Sequence, residues 1–149
     1  MHRALQVIDA AKTLIAAQAT SASVYRHRAL SLSDDEQELP AITVRIGTDT
    51  PVADSGQGSM QFIDSFQELL VDVIAKGDDE DDVIGSLFDL RAAIHEALQA
   101  DVTLGLAFVT DTAYGGASSP DIATGGARLV GSLSTRWVVR YRMNFTDPN

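Results

Sequence analysis

Ser134-Thr135-Arg136-Trp137-Val138-Val139-Arg140-Tyr141-Arg142-Met143-Asn144-Phe145 separates into two surfaces when alternate positions are read together. The odd residues Trp137, Val139, Tyr141, Met143 and Phe145 make a continuous row of large apolar groups. The even residues Arg136, Val138, Arg140, Arg142 and Asn144 carry three guanidinium groups. Period-two alternation of this length predicts a β-strand with one face in a core. The arginines are notable because the chain has a formal net charge of −10. A cationic stripe on an acidic protein is expected to meet carboxylates, its own or those of a second copy. That expectation points to assembly rather than to catalysis.

Upstream of this strand the pattern changes several times. Ala4, Val7, Ile8, Ala11, Leu14 and Ile15 recur at helical spacing, predicting a first helix over residues 2–19 with an alanine-rich packing stripe. A strand is predicted over 24–32, with Arg26 and Arg28 on one side and Tyr25 and His27 on the other. Residues 33–38 are too charged to bury and form a connection. A second strand spans 39–46, with Ile42, Val44 and Ile46 on one face and Pro40 near its beginning, where a missing amide matters least. Residues 47–59 carry Pro51, Gly56 and Gly58 without periodicity and read as an exposed loop.

The stretch 61–75 fits two templates. Phe62, Phe66, Leu69, Leu70 and Val73 match a helical stripe, while Leu69, Val71, Val73 and Ala75 alternate as a strand would. Valine and isoleucine content favours a strand over 68–75. The acidic run Asp78-Asp79-Glu80-Asp81-Asp82 then precedes a second helix, 81–100, with Val83, Ile84, Leu87, Leu90, Ile94 and Leu98 as its apolar stripe. Acids at that end complement the helix dipole and its free amides. Residues 102–112 read as a strand, with Gly105 marking a bulge or close backbone approach. Residues 115–131, which contain two Gly-Gly-Ala triplets, read as a long exposed loop. The whole is a single domain over 1–149 of α+β class: a mainly antiparallel β-sheet packed with two α-helices.

Composition narrows the function classes. The 149 residues suffice for one real core, and an apolar fraction of 45% is ordinary for a globular protein. No cysteine is present, so neither disulfides nor thiolate metal ligation is available. Twenty-one acids oppose eleven bases, and Lys12 and Lys76 are the sole lysines, a poor endowment for gripping phosphates. No specific nucleic-acid binding is expected, although an acidic surface lets DNA slide past without sticking. No apolar run reaches the roughly 18 residues that span a bilayer. Asp9 and Lys12 interrupt what would be the apolar core of a signal peptide, so an amphipathic helix is the better reading of the N-terminus.

From Asp78, acids fall at positions one, three and five of a calcium loop, but Val83 stands where the sharp turn needs glycine. A looser divalent site would draw on Asp79, Glu80 and Asp82. Gly56-Gln57-Gly58 lacks the third glycine of a dinucleotide fingerprint, and neither a P-loop nor a Gly-x-Ser-x-Gly elbow occurs. His2, His27 and His95 are few and scattered. The sequence therefore predicts no enzyme, no cofactor and no metal site.

Arg26, Arg28, Arg136, Arg140 and Arg142 are the candidate subunit or partner interface, since arginine forms bidentate carboxylate pairs and is enriched in interfaces. The opposite surface would come from acidic loops: Asp34, Asp35, Glu36 and Glu38 on one, Asp49 and Asp54 on the other. The alternative is an outer sheet face whose arginines simply meet water.

The distribution of these elements resembles the tail terminator, or tail completion, proteins of long-tailed bacteriophages, the family that includes lambda's minor tail protein U. The resemblance spans most of the chain. It rests on the N-terminal helix, the hairpin with a charged tip, the strand before an acid-capped helix, the passage Leu98-Gln99-Ala100-Asp101-Val102-Thr103-Leu104-Gly105, and the closing Trp137-Val138-Val139-Arg140-Tyr141-Arg142. The glycine-rich stretch is a departure. The resemblance implies a virion protein, made in the host cytoplasm, that forms a ring of six copies. That ring would cap the tail tube, stop polymerisation of the tube protein, and present a surface to a head-completion or connector protein. It would let DNA through its channel. Alternatives are another head–tail joining (neck) ring component and a small-molecule-binding α+β domain.

Overall fold

The computed structural model describes residues 1–27, 39–52, 62–125, 128–144 and 146–149. The elements follow the order α1 (Arg3–Gln18), β1 (Ser23–Arg26), β2 (Ala41–Pro51), β3 (Phe62–Gly77), α2 (Glu80–Ala100), β4 (Val109–Ala117), β5 (Asp121–Gly125) and β6 (Arg128–Asn144). This is the α+β class expected, with one more strand than the sequence suggested. The strands form a six-stranded sheet in the order β1-β2-β3-β6-β4, with β5 also pairing to β6. All pairings are antiparallel except β1 with β2.

Both helices lie on one face of the sheet. In α1, Ala4, Val7, Ile8, Ala11 and Ile15 are buried. In α2 the buried set is Val83, Leu87, Leu90, Ile94, Ala97 and Leu98. They enclose one core with Ile42 and Val44 of β2, alternate residues of β3 from Leu69 to Ala75, and Leu133, Trp137, Val139 and Tyr141 of β6. The start of each helix is fixed locally. The His2 ring nitrogen Nδ1 accepts from the Ala4 N–H at 3.1 Å, and the Asp79 carboxylate accepts from the Asp82 N–H at 2.8 Å. An acidic N-cap followed by Glu80, Asp81 and Asp82 suits the positive end of α2.

Five boundaries differ from the sequence reading. β3 begins at Phe62, six residues before the strand expected over 68–75, because β6 pairs with it along its whole length. The other four have local reasons. β1 stops at Arg26 because His27 takes a left-handed conformation with φ of 56°; the rest of the expected strand, residues 28–32, lies outside the described residues. β2 does not end at Ile46 but continues to Pro51 past an irregularity between Ile46 and Asp49. The bulge is held by the buried Gln67 side chain, whose Nε2 donates to the carbonyls of Gly47 at 3.1 Å and Thr48 at 3.4 Å. Only 53–59 of the expected loop falls outside the described residues.

The third of these four boundaries concerns residues 102–108, which form turns, so that β4 begins at Val109. Asp101 organises them by accepting from the N–H groups of Thr103 and Gly105, and Leu104 and Gly105 have φ of 55° and 70°. Two consecutive positive φ values are incompatible with a strand. Finally, 115–131 is not a structureless loop. It supplies the end of β4, all of β5 and the start of β6. This glycine-bearing stretch pairs because the 17-residue β6 offers its ladder to β4 and β5 in succession.

Candidate assembly surface

The face of the sheet opposite the helices has no helix packed on it among the described residues. Side chains of β3 that point there are Phe62, Asp64, Phe66, Glu68, Leu70, Asp72 and Ile74, in alternation with the buried core row. From Phe62 to Asp72 they spell a repeat of four in which an acid follows each large apolar group. β6 lies antiparallel beside β3, and its even residues share this face: Arg142 is opposite Asp64, Arg140 opposite Phe66, Val138 opposite Glu68, Arg136 opposite Leu70 and Ser134 opposite Asp72.

The register brings charges into pairs across the strands. Arg142 grips Asp64 through Nε at 2.7 Å and Nη2 at 3.1 Å. Arg140 reaches the same carboxylate from the neighbouring position, at 3.1 Å. Arg136 bonds Glu68 one step along the diagonal. From the other side, Arg45 of β2 holds Asp72 in a two-point contact, and the Ser134 hydroxyl donates to Asp72 at 2.7 Å. Cross-strand pairs of opposite charge are among the stabilising units of a sheet. The carboxylates lie beneath: Asp64 is 13% exposed, whereas Arg140 and Arg142 are 40% and 56% exposed. Solvent therefore meets guanidinium groups and rings. Arg140 lies over the Phe66 ring at 5.8 Å and Arg142 over Phe62 at 5.7 Å.

Electrostatics follow the geometry. The Arg142 hydrogen bond holds the Asp64 carboxyl below its usual range; burial opposes the shift, and Arg140 reinforces it. On the core side of the same strand the Tyr141 hydroxyl is pushed well up, first by burial and then by its 2.6 Å bond to Asp49.

The expected site residues are thus divided. Arg136, Arg140 and Arg142 come together as the sequence suggested, and their carboxylates belong to this chain. Arg26 is elsewhere: its register partner is Val44, on the helix side, and it pairs with Asp9 of α1. Asp49 caps the Tyr141 hydroxyl instead of standing on a free acidic loop. Arg28, Asp34, Asp35, Glu36, Glu38 and Asp54 lie outside the described residues. Sequence reasoning missed Arg45, Asp64, Glu68 and Asp72. The signal was present, since acids at 64, 68 and 72 all fall on the even register of one strand.

Among the described residues no three His, Asp or Glu side chains converge as metal ligands. Two open clefts are among those lined by described residues. One of about 430 Å³ is lined by Arg3, Phe62, Phe108, Thr110 and Arg142, and the other of about 310 Å³ by Gly115, Gly116, Ser118, Ser134 and Arg136. Among the described residues, no carboxylate lines either one. No described helix is long and apolar enough to cross a membrane.

No protein-family model matches the chain, and no curated protein matches it. Among solved structures, a chain from the virion of a native gene transfer agent particle aligns over 85% of this chain and 84% of its own, with 14% identity and a TM-score of 0.41. A superposition that loose carries no argument about fold or function.

Proposed function

We propose that this chain is a structural virion protein of the tail-terminator kind. Six copies close into a ring that caps the tail tube, ends its polymerisation and offers a surface for head attachment. The observation that carries the reading is the uncovered sheet face with Arg136, Arg140 and Arg142 over half-exposed aromatics. Phe62 and Phe66 are 47% and 37% exposed there. Arginine and aromatic groups in one contiguous patch are the usual makings of an interface. Its charges are nearly matched, whereas the chain as a whole carries −10. Two such chains repel one another except where a locally balanced surface lets them approach.

The sheet edges serve association less well. β1 has four residues, and β4 is interrupted by irregularities at Val109/Asp111 and Tyr114/Ala117. Short and bulged edges discourage strand addition. The face is the better contact.

Solution mass tests the reading. Six copies of a 15.9 kDa chain give a closed species of about 95 kDa. Arg140→Glu is expected to shift the population to folded monomer, with an unchanged circular dichroism spectrum. Immunogold labelling should place the protein at the head-proximal end of isolated tails. Label on filled, tailless heads would instead favour a neck component. Turnover of a metabolite by the purified chain would overturn the structural reading.

A further inference from the structure

A second surface of this chain is also left without a role by its own packing. The solvent side of α2 presents Asp81, Gly85, Phe88, Asp89 and Ala92, all exposed and all directed away from the buried stripe of Val83, Leu87, Leu90 and Ile94. Phe88 is 44% exposed, with Arg91 over its ring at 5.4 Å. Among the described residues, none accounts for Gly85. Glycine inside a helix is disfavoured, and a Cβ at this position would meet nothing within 4 Å. The absent side chain leaves the helix backbone open to close approach at this position.

Resting on the assembly reading above, we infer that the solvent side of α2 in one copy docks on the uncovered β3–β6 face of the next. The chemistry is complementary. Asp81 and Asp89 are two acids on a helix, whereas Arg136 and Arg140 are two half-exposed bases standing over their own carboxylates, with Val138 between them on the strand and Phe66 opposite Arg140. The spacings agree. Eight helical residues rise about 12 Å, and four strand residues span about 13 Å. Gly85 and Ala92 let the helix axis approach the sheet, and Phe88 enters the apolar patch of Phe66, Leu70 and Val138. The helix side and the bare sheet face lie on opposite sides of one molecule. Such a contact is heterologous: each copy donates its helix to one neighbour and its sheet to the other, so the contact propagates until the rotation closes a ring.

Sedimentation velocity on the full chain tests this. Asp81→Arg with Asp89→Arg should raise the dissociation constant at least tenfold, as should Arg136→Glu with Arg140→Glu. Mixed in equal amounts, the two variants should recover assembly. Each then offers one native and one reversed surface, and these match in an alternating ring of even number. Gly85→Trp fills the approach surface without touching the chain's own core; it should stay monomeric with a wild-type circular dichroism spectrum. Wild-type assembly by Gly85→Trp and by the aspartate variant, with Arg140→Glu monomeric, would overturn the α2 contact while sparing the assembly reading. A wild-type chain that remains monomeric at millimolar concentration would overturn both.

Discussion

β3 and β6 each show two faces built from alternate residues of the same strands, and the two are held by different physics. The odd residues of β6, Leu133 to Tyr141, are sealed in one core with the buried stripes of α1 and α2. Trp137 is 1% exposed, its indole N–H donating to Thr135 Oγ1 at 3.0 Å and its ring lying 5.2 Å from Tyr114. The even residues carry charge and meet carboxylates of β3 in water-facing pairs. Burial drives the first face, and its worth scales with area removed from water. The second gains little from ion pairs in a high dielectric, so its composition is better explained by what it contacts than by what it stabilises.

The strongest way to break this contrast is to truncate one residue on each side of the ladder. Trp137→Ala should destabilise the fold by about 3–5 kcal/mol, the range for buried tryptophan. That is a large part of the roughly 5–15 kcal/mol typical of a whole domain. Its half-buried neighbour Val138, pointing the other way, should lose less than about 1 kcal/mol on truncation to alanine. Denaturant midpoints of the two variants, measured at equal slope, check both values. Comparable losses would mean that the outer face is as much a core as the inner one.

A finer probe adds volume to the sealed face. A Cβ on Gly131 would overlap Cγ1 of Val83 and come within 3.1 Å of Leu87 Cδ1, because α2 rests directly on β6 there. Gly131→Ala should therefore cost about 1–3 kcal/mol as an overpacked contact. The melting temperature should fall accordingly, and an unchanged value would show that α2 rides higher over the sheet than these contacts require.

These two residues also mark what was legible in the sequence. Trp137 belongs to an alternation of large and charged groups, which announced the strand, its inner face and the fold class. Gly131 belongs to 115–131, where pairing depends on the long ladder of β6 rather than on the side chains themselves. Period two is hard to read where Gly, Ala and Ser interrupt the few large residues on either face. Likewise, the extension of β2 to Pro51 depends on Gln67, sixteen residues downstream, satisfying the carbonyls of the bulge. On the outer face, the arginines were legible as a stripe but their partners were not. Asp64, Glu68 and Asp72 become partners only once the β3–β6 register is known.

Asp64 sharpens the comparison through pH. Its folded-state pKa lies below the unfolded value, so its contribution is fully present above about pH 4 and fades as pH falls through the folded value. Asp64→Asn removes that dependence. The wild-type stability curve should drop more steeply than the variant's below about pH 4, with a difference near 1 kcal/mol at neutrality, at the low end for a lost charged partner because both arginines remain hydrated. Parallel acid limbs would place the wild type's acid sensitivity elsewhere.

Arg136→Gln should change folded stability least of all. The Arg136 side chain is 50% exposed while Glu68 is 20% exposed, so the carboxylate already meets some water and is not stranded by losing its partner. The glutamine amide can still donate to it. Exposed pairs of this kind contribute about 0.2–1 kcal/mol, and a difference of that origin must shrink as salt rises and the Debye length shortens. Unfolding at low and high ionic strength measures both quantities at once. A loss beyond about 2 kcal/mol that survives salt could not come from a screened surface pair. It would mean that the arginine stem packs against Leu70 as part of a second core, and the arginine row would then be explained by folding, leaving assembly to be carried by some other surface.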